Sequence, residues 1–196
     1  MDQDLLVTGS SDNIFEQITQ AEYGSHYLLI HPELGILRDI YSRYVKKQLE
    51  SNNEIVLMLT HYETADKVRR VLSEGYDKEN DGNGIDVTKY ETEGSLVIID
   101  SIEGHFGSDD LMISVKQLVK KSQSSGKNGV SMISDGGSYF HLHKPQKLMK
   151  HEMSMPSKFD INLKRICVFH RKDFDILSEE QKQKLVKHHG RGLVVN

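Results

Sequence analysis

Ten histidines, a single cysteine and several carboxylates placed at strand ends are the residues whose types could do chemistry here. His141 and His143 share a face if their segment is extended, His151 follows eight residues later, and Met149, Met153 and Met155 add thioether sulfurs. Imidazole and thioether donors together suit zinc or copper. The commoner origin of such a pattern is surface histidines beside methionines that fill gaps in a core. His151-Glu152-Met153-Ser154-Met155 opens like a zinc-protease helix, but methionine stands where the second histidine belongs. No metal or other cofactor is expected, and His141, His143 and His151 are the residues a metal would have to use.

Cys167 lies in an apolar run between Ile166 and Val168, the setting of a buried structural thiol rather than a nucleophile. No Gly-x-Ser-x-Gly elbow is present. Glu152 follows a Lys- and Met-rich segment that packs beside a sheet, so its carboxylate either faces a pocket or is solvated. His188-His189 ends a helix, where the dipole accounts for histidine. Leu96-Val97-Ile98-Ile99-Asp100 has the form of a strand that presents a Mg²⁺-binding aspartate to a nucleotide, although a helix-capping turn produces the same pattern.

A phosphate-binding loop would decide between those two readings. It needs glycines that let backbone N–H groups wrap the phosphates, followed by a lysine and a hydroxyl. The turn after the first apolar run reads His31-Pro32-Glu33-Leu34-Gly35: one glycine, a proline with no N–H, and an acid where phosphate would sit. Gly126-Lys127 is followed by Asn128 in a loop before a strand and matches neither the motif nor its place.

The elements that must position these residues alternate. Apolar runs at His26–Ile30, Ile55–Thr60, Leu96–Ile99, Val130–Ile133 and Arg165–Phe169 read as strands, nearly continuous and so covered on both faces of a mostly parallel sheet. Helical stripes run from Glu33 to Leu49, with Pro32 at its start, from Glu63 to Glu74, and through Leu111, Met112, Val115, Leu118 and Val119, with Ser108 as cap. A last helix begins at Ser178, with Gln181 completing a capping box, and a strand from Gly192 to Val195 closes the chain. The order reads strand, helix, strand, helix, strand, strand, helix, strand, then a longer irregular stretch before the final strand and helix. Repeated alternation implies right-handed crossovers and a three-layer α/β sandwich. Asp77–Gly84 and Ser122–Gly129 are polar loops too short to be interdomain linkers. One domain over residues 1–196 is expected, residues 1–12 loosely ordered, with Asn13 and Glu16 offering a cap for a short helix.

In such a sheet ligands bind beyond the carboxyl ends of the strands, which singles out Asp100 and Asp135. A net charge of −4 with no long basic stripe argues against a nucleic-acid partner. The one cysteine suits a reducing compartment. The first residues lack a basic cluster and no apolar window approaches membrane-spanning length, so a cytoplasmic protein without a membrane partner is expected.

Gly24-Ser25-His26-Tyr27-Leu28-Leu29-Ile30, the helix ending Gln48-Leu49-Glu50-Ser51-Asn52-Asn53-Glu54, and the strand Ile55–Thr60 resemble the opening of MEDS domains. Lys147-Leu148-Met149-Lys150-His151-Glu152, Arg165-Ile166-Cys167-Val168-Phe169-His170 and Val186-Lys187-His188-His189 resemble its later part. The resemblance spans about residues 24–195. It implies a RecA-like fold, related to circadian-clock ATPases, that lacks the phosphate loop. It also implies a role in sensing small organic molecules, with His26, Glu152 and Cys167 near the ligand. Phe169-His170 departs from the family, which often follows the aromatic with an acidic or polar residue. MEDS domains are often joined to kinase or DNA-binding modules, for which this chain has no room. A non-catalytic sensory or regulatory domain is therefore expected. It would act through a small-molecule ligand, through a signalling protein such as a histidine kinase or clock-like ATPase, or through self-association. The alternatives are an ATP- or metal-dependent enzyme with an unusual site, or an interaction subunit of such an ATPase or kinase.

Overall fold

The computed structural model describes residues 6–76, 84–107 and 110–196. Among them seven strands form one sheet: β1 (Leu6–Gly9), β2 (His26–His31), β3 (Ile55–Thr60), β4 (Leu96–Asp100), β5 (Val130–Asp135), β6 (Leu163–His170) and β7 (Arg191–Val195). Their order is β1-β7-β2-β6-β5-β3-β4. Every pairing is parallel, with His26 opposite Arg165 and Leu28 opposite Cys167. The apolar runs are continuous because helices cover both faces, leaving no strand face that must be polar.

Side chains alternate between the two faces. Leu29, Val56, Met58, Ile133, Ile166, Val168 and Leu193 pack under α1 (Ser11–Thr19), α2 (Leu34–Glu50), α3 (Ala65–Glu74) and α4 (Val87–Thr92). The residues between them face the other layer. That layer holds α5 (Ser101–Phe106), α6 (Leu111–Ser124), α7 (Gly137–His141), α8 (Pro145–Ser154), α9 (Arg171–Phe174) and α10 (Glu179–His188). The result is a three-layer α/β sandwich of the RecA-like kind.

Several local expectations are corrected. Residues 6–12 are ordered: β1 pairs with β7, and Ser10 caps α1 by accepting from the Asn13 amide, so neither Asn13 nor Glu16 is the cap. Pro32 precedes the N-cap Glu33 and is not the first helical residue of α2. Asp110 caps α6 through the Met112 and Ile113 amides, while the expected cap Ser108 lies outside the described residues, as do residues 77–83 of the first polar loop. Where two strands in succession were expected, short α4 precedes a single strand. The irregular stretch contains α7 and α8, the latter with Pro145 in its first turn, where a missing N–H costs nothing. The capping box at Ser178 forms as read, with reciprocal bonds to Gln181.

At the amino end of the sheet Glu54, 1% exposed, collects Lys164, Ser131 and the Tyr23 hydroxyl. This ties the start of β3 to β5 and β6. Removing one partner of such a pair leaves an uncompensated buried charge. Lys164→Met is expected to lower unfolding free energy by about 3–5 kcal/mol, measured by urea denaturation; a change under about 1 kcal/mol, the range of an exposed pair, would show that the pair does not order this end of the sheet.

Candidate functional site

The strand-end carboxylates both accept from backbone amides. Asp100 is exposed and is the N-cap of α5, its carboxylate accepting from the Ile102 amide at 2.7 Å. It also ends an edge strand. Four strand spacings separate it from β2, about 19 Å, so it cannot share a phosphate–metal unit with the His31–Gly35 turn. Asp135 is buried and accepts from the amides of Gly137 at 2.8 Å and of His61 and Tyr62 at 3.3 Å. The crevice between β3 and β5, whose chains leave the sheet in opposite directions, is thus filled by a side chain of the protein itself.

The three candidate metal histidines are not brought together. His141 packs on His61, with ring centroids 5.2 Å apart, whereas His151 packs on His105 at 5.2 Å. His143 sits at a turn after α7 with φ of 54°. Their expected common face required an extended segment, and α7 and α8 replace it.

A different cluster forms beneath α8 and α10. His26, Arg165 and Cys167 point to the same face because Arg165 and Cys167 are two apart on β6 and His26 is paired with Arg165 across the β2–β6 ladder. Glu152 descends from α8, four residues after buried Leu148. His189 descends from the end of α10, four residues after buried Leu185. All five are at most 2% exposed. Arg165 Nη2 donates to Glu152 Oε1 at 3.2 Å. Glu152 Oε2 lies 3.4 Å from His189 Nε2, 3.7 Å from His26 Nε2 and 3.7 Å from Cys167 Sγ, and His26 Nε2 is 3.4 Å from Cys167 Sγ.

Backbone carbonyls settle both imidazole tautomers. His26 Nδ1 is 3.1 Å from the Pro156 carbonyl and His189 Nδ1 is 2.7 Å from the Leu185 carbonyl. A carbonyl only accepts, so each Nδ1 carries a proton and each ring turns its Nε2 inward. Gly24 makes the first of these contacts possible. Its φ of 91° and missing Cβ let the Phe159 backbone approach, and the segment after α8 then carries Pro156 over His26.

Burial holds His26 neutral, down to about 2, helped by the neighbouring His189 and Arg165 and opposed by Glu152. Burial raises Glu152 too, but Arg165 and His189 outweigh it and keep the carboxylate well below its ordinary range. Burial pushes the Cys167 thiol well above its ordinary value. The cluster therefore holds the Glu152 anion, the Arg165 cation, a protonated thiol and a neutral His26.

A cleft of about 500 Å³, lined in part by His105, Asp110, His151, Pro156 and Phe159, opens beside the cluster, and Phe159 packs on His26 at 5.2 Å. Of the residues singled out from sequence, His26, Glu152 and Cys167 meet here, while Asp100 and Asp135 lie at the carboxyl end of the sheet. Arg165 and His189 were missed. An arginine inside an apolar strand, two residues from Cys167, was the available signal; it cannot be buried without an anion.

Burial lifts Asp135 from its ordinary 3.8 to about 7, against the opposing amide bonds and with the Glu63 charge adding to the rise. A carboxyl raised in the fold contributes stability that is complete below its unfolded value and lost as pH climbs to the folded value. The urea midpoint of the wild type is therefore expected to fall relative to Asp135→Asn between about pH 4 and pH 7 and then level off. A difference that stays flat over that range would show that Asp135 is already ionised in the fold.

Comparison with models of known families finds none that matches this chain, and comparison with curated proteins finds no relative, so what the site does is read from its geometry.

Proposed function

We propose that the chain is a non-catalytic sensory or regulatory domain that takes up a small molecule at the buried His26–Glu152–Cys167–His189 cluster. The observation that carries this reading is a set of polar groups converging in the dry layer between the sheet and α8/α10, beside an open cleft. Nothing in the packing of the sandwich requires two histidine Nε2 atoms and a thiol to converge on one carboxylate. Buried polar groups without matched partners are costly, and they persist where a ligand matches them. The resemblance to MEDS domains supports the same reading, because it draws on His26, Glu152 and Cys167 independently of their geometry.

A signalling partner is the second output such a domain can use. A ligand that orders α8 and α10 against the sheet changes the outer surface of both helices, and that surface is where a kinase or a clock-like ATPase would read the change. Phosphoryl transfer fits less well. Its catalysis consists of positioning phosphates and stabilising their charge. At the carboxyl end of the sheet Asp135 fills the crevice, Asp100 serves as a helix cap, and Glu33 sets a negative charge in the turn where a nucleotide's phosphates would sit.

A ligand stabilises the fold by mass action, about 2.7 kcal/mol at a hundredfold excess over its dissociation constant. Thermal-shift screening of small organic molecules and nucleotides is expected to give organic hits whose effect shrinks in Cys167→Ala and persists in Asp100→Asn. Hits indifferent to Cys167→Ala would move the site elsewhere. In phosphate-release assays with Mg²⁺ and ATP or GTP, only a background rate equal in wild type and Asp100→Asn is expected. Turnover abolished by that substitution would replace the sensory reading with an enzymatic one.

A further inference from the structure

We infer that the cluster is a four-coordinate site for a divalent transition metal of the zinc class, held by His26 Nε2, His189 Nε2, Cys167 Sγ and Glu152 Oε2. The inference concerns the same residues as the sensory reading and does not depend on it. The four donor atoms all lie within 4.8 Å of one another. Ligands 2.0–2.3 Å from a tetrahedral centre are separated from each other by about 3.3–3.8 Å. Four of the six separations here are 3.4, 3.7, 3.7 and 3.4 Å, those from Glu152 Oε2 to His189, His26 and Cys167 and from His26 to Cys167. Those four pairs stand at the spacing of a coordination sphere, and the two remaining pairs lie within 4.8 Å.

Hydrogen bonding alone leaves this arrangement incomplete. Each Nδ1 hydrogen is given to a backbone carbonyl, so both Nε2 atoms turn inward, beside the Glu152 carboxylate and the thiol. His189 Nε2 is buried with no hydrogen-bond partner among the described residues. A cation in the middle satisfies all of them at once.

The surroundings match a metal's second shell. Metal-bound histidines hand their other N–H to a backbone carbonyl or carboxylate, which fixes ring and tautomer; Pro156 and Leu185 provide this for His26 and His189. Arg165 holds the far oxygen of Glu152 and so fixes which oxygen faces the ion. A thiolate and a carboxylate together neutralise a dication, with the thiol proton leaving as the metal enters. One sulfur, two imidazoles and one carboxylate select a borderline ion such as zinc over magnesium or calcium, which take oxygen donors. With four protein ligands the sphere is closed, as in sites that stabilise a fold rather than activate water. It also ties α8 and α10 to β2 and β6 across one centre. The cleft lined by Phe159 and His151 reaches to within one side chain of the site, since Phe159 packs on His26.

Cobalt(II) substitution of the full chain tests this. Metal-free protein titrated with cobalt(II) is expected to take up about one ion per chain. It should develop a thiolate-to-metal charge-transfer band in the near ultraviolet, together with the intense visible bands of tetrahedral coordination. Zinc should displace both sets of bands. In Cys167→Ser the charge-transfer band should vanish, and in His189→Gln uptake should weaken by about tenfold or more. The wild-type spectrum decides by itself should either variant fail to fold. Absence of the charge-transfer band in folded wild type, or cobalt bound with the octahedral spectrum of surface histidines, overturns the site. The ligand screen is run on metal-free and zinc-loaded protein alike, so a failure there leaves the cobalt result to stand or fall separately.

Discussion

The guanidinium of Arg165 sits inside the sheet layer, 1% exposed, on a strand flanked by β2 and β5. A charge in that position is tolerable only with an opposite charge delivered to it and bonded to it. Glu152 is that charge, and its delivery requires α8 to lie across β6 with Leu148 and Glu152 facing inward. The docking of α8 then decides where the following segment runs, and so where the Pro156 carbonyl meets His26. His189 reaches the same carboxylate from α10, the neighbouring helix. One ion pair thus sets the arrangement of two helices, a loop and the tautomers of two histidines.

The two ends and two faces of the sheet are used differently. At the amino end Glu54 gathers Lys164, Ser131 and Tyr23, an ion pair with its hydrogen bonds filled and no adjoining chemistry. At the carboxyl end, where open α/β sheets place their ligands, Asp135 closes the central crevice with backbone bonds. Under α8 and α10 lie unpartnered buried nitrogens of Arg165, His151, His188 and His189. The scaffold is a RecA-like one, and its buried histidine–cysteine–glutamate cluster lies under a helical layer rather than at the carboxyl ends of the strands.

Burial has opposite consequences for neighbouring groups there. It keeps His26 neutral and Cys167 protonated, whereas Glu152 stays ionised because Arg165 and His189 outweigh desolvation. On the proposed reading, a fixed anion beside inward-facing imidazole nitrogens suits an electron-poor ligand. Small polar molecules with donor groups and divalent metal ions both answer to that description, and in each case binding would couple α8 and α10 to the central strands.

Much of this architecture is legible in the residues alone. The continuous apolar runs required a sheet covered on both faces, the stripes at Leu34–Val45 and Leu111–Val119 required helices between strands, and Ser178 with Gln181 marked a helix start, because those signals are local. The missing phosphate loop was equally plain, since proline and glutamate act where they stand. Short elements were not legible: β1 gains its bonds from β7 nearly the whole chain away, and α7 and α8 are held by packing against the sheet rather than by a strong stripe of their own. The candidate site was legible only in part. His26, Glu152 and Cys167 were named without their geometry, and His189 was put down to the helix dipole because nothing local distinguishes a solvated helix-end histidine from a buried one. What joined them is the parallel β2–β6 register, which sets His26 beside Arg165 and, two residues on, Cys167. That register is a long-range pairing across about 140 residues, chosen by the burial of the whole sheet, and only the tertiary structure decides it.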